Sequence, residues 1–322
     1  MSKTLKNILL VFLSFPLLSI ADTSYPNKPI KLIIPLAAGS AVDNAARILT
    51  TKMAQNMGQG FVIENITGSS GLIGAEKLTK VKPDGYTFGG FNDSILTMVP
   101  HLIAKMPWDA LKDFEPVSLV GTIEWGIVVK TDSPYKNLAD FLAAAKANPG
   151  KINFSSGGNG SPQHIGMALV AKRAGLQMTH IPYRGATPAA IAVAGGEVDT
   201  SMQGLGTVKT LIQGGKVRLL AVSTPKRLPQ YPNVPTFNEA GMKDFTFNSW
   251  FAMVAPKGTP KAAIEKINSE IVKALNDPET NAKLNAFGLT PRGTSSADFG
   301  KATIAQFELY KRVIQENGIK AQ

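Results

Sequence analysis

Two stretches of this chain carry residue types suited to holding an anion: Gly39-Ser40-Ala41-Val42-Asp43 and Gly160-Ser161-Pro162-Gln163-His164. Each joins a short apolar run to what reads as a helix start. Val42, Ala46, Leu49 and Met53 recur at helical spacing after the first, and Pro162 stands near the first helical position of the second. The first amides of a helix have no intrahelical acceptor, and the dipole makes that end positive. Small residues let a ligand approach the backbone there. The chemistry on offer is anion binding by main-chain amides, with the Ser40 and Ser161 hydroxyls as further donors. Asp43 lies in the first turn of its helix, where a carboxylate suits the dipole. It would repel an anion in a dehydrated cleft, so it is expected to act through water or on a polar ligand end.

Other candidates are ambiguous by type. His164 either donates to a carboxylate as a neutral imidazole or packs and caps locally. Tyr183 lies in a turn after a strand and reads as part of a cleft. Arg184 beside it either clamps a carboxylate bidentately or is a solvated surface arginine. Ser94, at the strand end Asn92-Asp93-Ser94, either faces a ligand or caps a helix. His101 and His180 read as structural, and Trp250 and Phe251 as core. The three histidines are far apart, no His-x-x-x-His occurs, and no Gly-x-Ser-x-Gly elbow surrounds any serine. Gly204-Leu205-Gly206 is too short for a dinucleotide fingerprint. No catalytic residue, metal or cofactor is expected.

The elements that position these residues alternate strand and helix. Ile30–Leu36, Phe61–Asn65 and Tyr86–Phe91 read as strands joined through helices, which implies a parallel sheet with right-handed crossovers. Ligands of such sheets bind at the carboxyl ends of the strands. Val117–Lys130 is one long extended stretch. The alternation then restarts, with strands at Ile152–Ser155, Met178–Pro182, Val198–Met202 and Val217–Ser223. Phe247–Pro256 reads as a return crossing, followed by helices over Pro260–Asn276, Glu279–Phe287 and Asp298–Gln315. The fold class expected is α/β with two lobes in a Venus-flytrap arrangement, each a mostly parallel sheet flanked by helices. Residues 22–122 plus 247–322 form lobe 1 and residues 123–246 form lobe 2.

Residues 1–21 read as a signal peptide: Lys3 and Lys6, an apolar run from Ile8 to Ile20, then Ser19-Ile20-Ala21 as a cleavage site. The mature protein is therefore expected in the periplasm. The chain has 322 residues and no cysteine, which excludes disulfides and a lipid-anchored N-terminal Cys. Its formal charge of +11 falls to +9 without Lys3 and Lys6, and the basic residues are scattered. That argues against nucleic acid as a partner and fits a mild attraction for anionic ligands.

The chain resembles the periplasmic substrate-binding receptors of tripartite tricarboxylate transporters, the Bug family. The resemblance runs from Tyr25 nearly to the C-terminus. It rests on Lys28-Pro-Ile-Lys-Leu-Ile-Ile-Pro35, Gly39–Arg47, Gly71-Leu-Ile-Gly-Ala-Glu76, Pro83-Asp-Gly-Tyr-Thr87 and Gly160-Ser-Pro-Gln-His164. It continues through Ile181-Pro-Tyr-Arg-Gly-Ala-Thr-Pro188, Gly195-Gly-Glu-Val-Asp199 and Ala255-Pro-Lys-Gly-Thr-Pro260. It implies a monomeric receptor without catalysis, which holds a small organic carboxylate between its lobes and delivers it to membrane permease subunits. It also implies that the turns Ala38–Val42 and Asn159–His164 present main-chain groups, and that Tyr183-Arg184-Gly185 and Gln203 complete the cleft. Two departures stand out: Ser40 replaces a usual glycine, and Met202-Gln203-Gly204 replaces a frequent Phe-Asp-Asn. A sensor feeding a membrane kinase would share the same cleft. An exported enzyme acting on small acids is the reading the residues favour least.

Overall fold

The computed structural model describes residues 25–320; the expected leader, residues 1–21, lies outside them. β1 (Ile30–Ile34) is buried apart from Lys31, as a strand covered on both faces must be. It leads into α1 (Ala41–Met57), which buries Val42, Ala45, Ala46, Leu49 and Met53. β2 (Phe61–Asn65), α2 (Leu72–Thr79) and β3 (Thr87–Asn92) continue the alternation. β1 pairs in parallel with both β2 and β3. A short helix, α3 (Asp93–Thr97), follows β3 at once; Asn92 precedes it, so Ser94 lies within its first turn and is not its cap.

The long extended stretch is two strands, β4 (Phe114–Ile123) and β5 (Trp125–Lys130), divided at Glu124 and belonging to different sheets. Next come α4 (Leu138–Ala147), β6 (Asn153–Ser156), α5 (Pro162–Ala174), β7 (Thr179–Pro182) and α6 (Ala186–Gly195). β8 (Thr200–Gly204), α7 (Leu205–Gln213) and β9 (Val217–Val222) complete that series. β10 (Ser249–Pro256), buried throughout, returns to the first sheet and inserts between β3 and β4, antiparallel to both. The chain ends with α8 (Lys261–Leu275), α9 (Pro278–Ala286), β11 (Leu289–Pro291) and α10 (Ser296–Glu316).

The six-stranded sheet has the order β11-β4-β10-β3-β1-β2 and the five-stranded sheet β7-β6-β8-β5-β9. Both are mixed. β6 runs parallel to β7 and β8, while β5 is antiparallel to β8 and β9. The antiparallel members are the strands that lie next to the crossings between sheets. α8 buries Ile264, Ile267, Ile271 and Leu275 against α1 and β4, and α10 covers β4 and α3. The C-terminal helices thus complete the six-stranded half.

Where the chain changes sheet it is pinned by long-range bonds. Glu124 donates its amide to the Gly288 carbonyl and accepts at its own carbonyl from the Leu205 amide, both at 2.9 Å. Trp125 Nε1 donates to Ser249 Oγ at 3.0 Å, tying the outgoing crossing to the returning one. Burial raises the Glu124 carboxyl above its usual range, although Thr290 and Gln230 both donate to it.

Candidate functional site

A cavity of about 400 Å³ lies between the two sheets. The carboxyl ends of β1, β3, β6, β7 and β8 all open onto it, through Leu36, Asn92, Gly157, Tyr183 and Gly204. So do helix starts from both halves. The residues that precede the first turn of α1, α2, α3, α5, α6 and α7 are Ser40, Gly71, Asn92, Ser161, Gly185 and Gly204, and each lines the cavity. The N-terminal ends of six helices therefore face one space, which favours negative charge.

The turns before α1 and α5 have the same local build. Ser40 and Ser161 are extended (φ −66° and −65°), and each accepts at Oγ from the amide three residues on, Asp43 at 3.3 Å and His164 at 3.4 Å. Before each serine is a glycine with left-handed backbone, Gly39 at φ +76° and Gly160 at φ +79°, which a side chain would strain. Each glycine donates its amide to the side chain at the third helical position. Gly39 reaches Asp43 Oδ2 at 2.9 Å and Gly160 reaches His164 Nδ1 at 3.1 Å.

This build consumes most of the amides expected to face a ligand. Ser40 N donates to Ala37 O and Ser161 N to Gly158 O, while Ala41 N donates across the cleft to Thr207 Oγ1 at 2.9 Å. Pro162 has no N–H. Among the described residues that leaves the amides of Val42 and Gln163 without a protein acceptor, one in each turn and both at the second helical position.

Nine of the thirteen residues singled out from the sequence line the cavity: Ser40, Ala41, Ser94, Asn159, Ser161, Gln163, Tyr183, Arg184 and Gly185. The other four lie behind its wall. Gly39 turns its amide inward to Asp43. Asp43 is 1% exposed and accepts from Arg47 at both oxygens, from Asn65 Nδ2 and from the Gly39 amide. Burial opposes its ionisation, but these hydrogen bonds outweigh it and hold the carboxyl below its usual range. It acts as a structural ion with no valence left for a ligand.

His164 is the acceptor for Gly160 and stacks on His180, with ring centroids 4.2 Å apart and planes within 4°. His180 lies 2.6 Å from Ser156 Oγ at its Nε2 and stacks in turn on Phe154. Burial pushes both imidazoles down to about 4, and for His180 the neighbouring His164 adds to it, so both are neutral at pH 7. Gln203 accepts from Gln163 Nε2 at 3.3 Å and donates to Ser201 Oγ. It supports Gln163 without reaching the cavity. Tyr183 lines the cavity while its side chain packs on the Ala190–Val193 core of the second half and its hydroxyl donates to Glu197 Oε2 at 3.3 Å.

The sequence reading passed over Ser69 and Ser70 in the Gly68–Gly71 loop, and Trp125, Thr207 and Ser249, all of which line the cavity. The loop carried the same signal as the two turns, small residues before a helix. Ser69 and Ser70 adopt left-handed backbone (φ +46° and +55°), and Ser70 Oγ donates to Asn159 O across the cleft at 2.6 Å. Thr187 Oγ1 donates likewise to Ala38 O at 2.8 Å. The walls approach too closely there for side chains: a Cβ on Gly185 would lie 2.7 Å from Ala37 Cβ.

Among the described residues no group of three His, Asp or Glu is placed to hold a metal, and no helix is long and apolar enough to cross a membrane. Residues 45–319 match the model of the tripartite tricarboxylate transporter family receptors. A UPF0065 protein of Pseudomonas sp. (strain P51) is 34% identical over 299 residues, covering 92% of this chain and 89% of the relative. An R. palustris protein solved with adipate superposes with a TM-score of 0.89 at 30% identity, covering 92% of this chain and 99% of that one. MatC from Rhodopseudomonas palustris, with bound malate, gives 0.84 at 26% identity, covering 90% and 100%.

Proposed function

The chain belongs to the tripartite tricarboxylate transporter receptor family, and from that premise we propose that it is a periplasmic receptor that captures a small carboxylate and passes it to a tripartite membrane transporter. The family and the fold are those of solute-binding receptors rather than enzymes. The two lobes are the six-stranded half, which runs to Ile123 and resumes at Ser249, and the five-stranded half between those points, with the cavity between them. The observation that carries the reading is the cavity wall: six helix N-termini face it, and the amides of Val42 and Gln163 are left unpaired on opposite sides of the cleft. A carboxylate between them would accept from both amides and from the Ser40 and Ser161 hydroxyls. Hydrogen bonds to a charged group contribute about 1.5–3 kcal/mol each, roughly twice the neutral kind. The adipate and malate held by the two R. palustris proteins support the ligand class.

Because donors come from both lobes, the acid is bound fully only when the lobes are together. Closure is then favoured by differential affinity for the closed state. Ser70–Asn159 and Thr187–Ala38 join the rims in that state.

A thermal-shift panel of mono- and dicarboxylates tests the ligand class. A ligand present at about 100 times its Kd adds about 2.7 kcal/mol of stability, so a true ligand raises Tm by several degrees. If no carboxylate at millimolar concentration moves Tm, the ligand reading fails. Uptake of the identified acid by vesicles bearing the permease, with and without this receptor, tests delivery.

A further inference from the structure

The turns before α1 and α5 share more than their caps. In each, the peptide unit that precedes the left-handed glycine is engaged at both ends. Its N–H donates to the side chain at the third helical position, Gly39 to Asp43 and Gly160 to His164. Its C=O accepts from a hydroxyl of the opposite half. Thr187 Oγ1 donates to Ala38 O at 2.8 Å, and Ser70 Oγ donates to Asn159 O at 2.6 Å. The two bonds run in opposite directions across the cleft, so each half supplies one hydroxyl and one carbonyl. The N–H of each peptide is already donating, which polarises its carbonyl into a better acceptor.

Glycine makes the room for these bonds. A Cβ on Gly158 would lie 2.5 Å from Ser70 Oγ, and one on Gly185 would lie 2.7 Å from Ala37 Cβ. Ser70 reaches across from left-handed backbone, φ +55°, a conformation that is costly for serine and that the cross-cleft bond offsets. The partners are 89 and 149 residues apart, so no local interaction forces either pair together. Opening the rim by about 1 Å breaks both bonds, since a hydroxyl and a carbonyl oxygen 3.6 Å apart are no longer bonded. Thr187 is not among the residues that line the cavity, so its hydroxyl serves the rim alone.

We propose that Thr187 and Ser70 form a reciprocal latch that sets how long the halves stay closed, and so governs the release of the ligand and not its choice. The inference rests on the carboxylate reading above for the molecule released, and on the cross-cleft geometry for the latch itself. A bond made after the ligand enters and broken before it leaves slows dissociation and leaves association alone. Its effect is therefore the same for every acid the cleft accepts.

Two measurements test this. The chain has no cysteine, so Val62→Cys and Ile191→Cys, at exposed positions one in each half, carry spin labels whose separation reports closure. With no acid present, Thr187→Val and Ser70→Ala together should shift the distance distribution away from that of the wild type. Stopped-flow tryptophan fluorescence with adipate and with malate then follows binding. Thr187→Val should raise the dissociation rate about fivefold for both acids, the equivalent of one net hydrogen bond, with the association rate within about twofold. Thr187→Ser, which keeps the hydroxyl, should restore the wild-type rate. The Thr187→Val/Ser70→Ala pair should raise dissociation about 25-fold, because the two bonds share no partner. Circular dichroism shows that each variant is folded.

An unchanged dissociation rate in Thr187→Val, a loss that Thr187→Ser does not restore, a fall in association in its place, or an effect confined to one acid overturns the latch. If neither acid binds the wild type, the carboxylate reading falls. The label distances still decide the latch in that case: a distribution that the paired substitutions leave unchanged overturns it.

Discussion

At the start of α1, Gly39 gives its amide to the carboxylate of Asp43; at the start of α5, Gly160 gives its amide to the imidazole of His164. Both turns hold a left-handed glycine, an extended serine cap and an acceptor at the third helical position. The acceptors differ in charge, and their surroundings differ to match. Asp43 is ionised and needs Arg47 and Asn65 to be tolerated at 1% exposure. His164 is neutral and needs only the stack on His180. The comparison teaches that the backbone plan demands an acceptor and not a charge. In both turns the second-position amide alone keeps no protein acceptor among the described residues: the acceptor takes the glycine amide, the serine hydroxyl takes the third-position amide, Ala37 O, Gly158 O and Thr207 Oγ1 take the rest, and Pro162 has none.

The largest expected effect comes from removing the charged acceptor. Asp43→Ala strands the Gly39 amide, the Asn65 amide and the Arg47 guanidinium together. Its cost should be about 2–4 kcal/mol, discounted because Arg47 is half exposed to water. Removing the neutral acceptor in His164→Leu strands one amide and should cost about 1–3 kcal/mol. Urea denaturation at pH 7 compares them; if the histidine variant loses as much as the aspartate variant, the charge is not what distinguishes the turns.

Acid separates the turns next. The imidazoles of His164 and His180 titrate near 4 in the folded protein against about 6.5 when unfolded, because burial disfavours their charged forms. Their contribution is therefore fully present above pH 6.5 and is lost as pH falls through 4. Asp43 is held below its usual range, so its contribution is kept above about pH 4 and lost only on further acidification. Between pH 6.5 and 4 the α5 turn should weaken alone, by on the order of 3 kcal/mol for each of the two histidines. The wild type minus a His164→Asn/His180→Gln variant, measured by denaturation at several pH values, isolates the effect. A difference that does not change over that interval refutes it.

The smallest effect should be the one the turns share. Ser40→Ala and Ser161→Ala each remove a cap whose hydrogen bond is long, 3.3 and 3.4 Å. Each should cost about 1 kcal/mol of stability and agree within about 0.5 kcal/mol. Each should also weaken binding of a confirmed acid by no more than about tenfold. Titration calorimetry that finds one serine dispensable and the other essential would show that the ligand leans on one lobe only.

Much of the architecture was legible because its causes are local. β1, α1, α5 and α8 follow from apolar runs and helical spacing, and the family resemblance from ordered motifs along the chain. That the extended stretch crosses from one lobe to the other was legible; the break that makes β4 and β5 separate strands was not, because Glu124 interrupts the strand through partners at Gly288 and Leu205. β11 was missed for the same kind of reason: three residues with little pattern of their own become a strand by pairing with β4.

The sequence by itself determined the two turns. Glycine before serine before a helix dictates left-handed backbone and a cap through interactions that span four residues or fewer. Only the tertiary structure decided what those turns present. The Ala41 amide is lost to Thr207, 166 residues away, and Asp43 is withdrawn by Asn65, 22 residues away. Arg184 lines the cavity with no hydrogen-bond or ion-pair partner among the described residues. Local conformation depends on neighbours in the chain; the choice of which donors stay free depends on which distant acceptors the folded lobes bring within 3 Å.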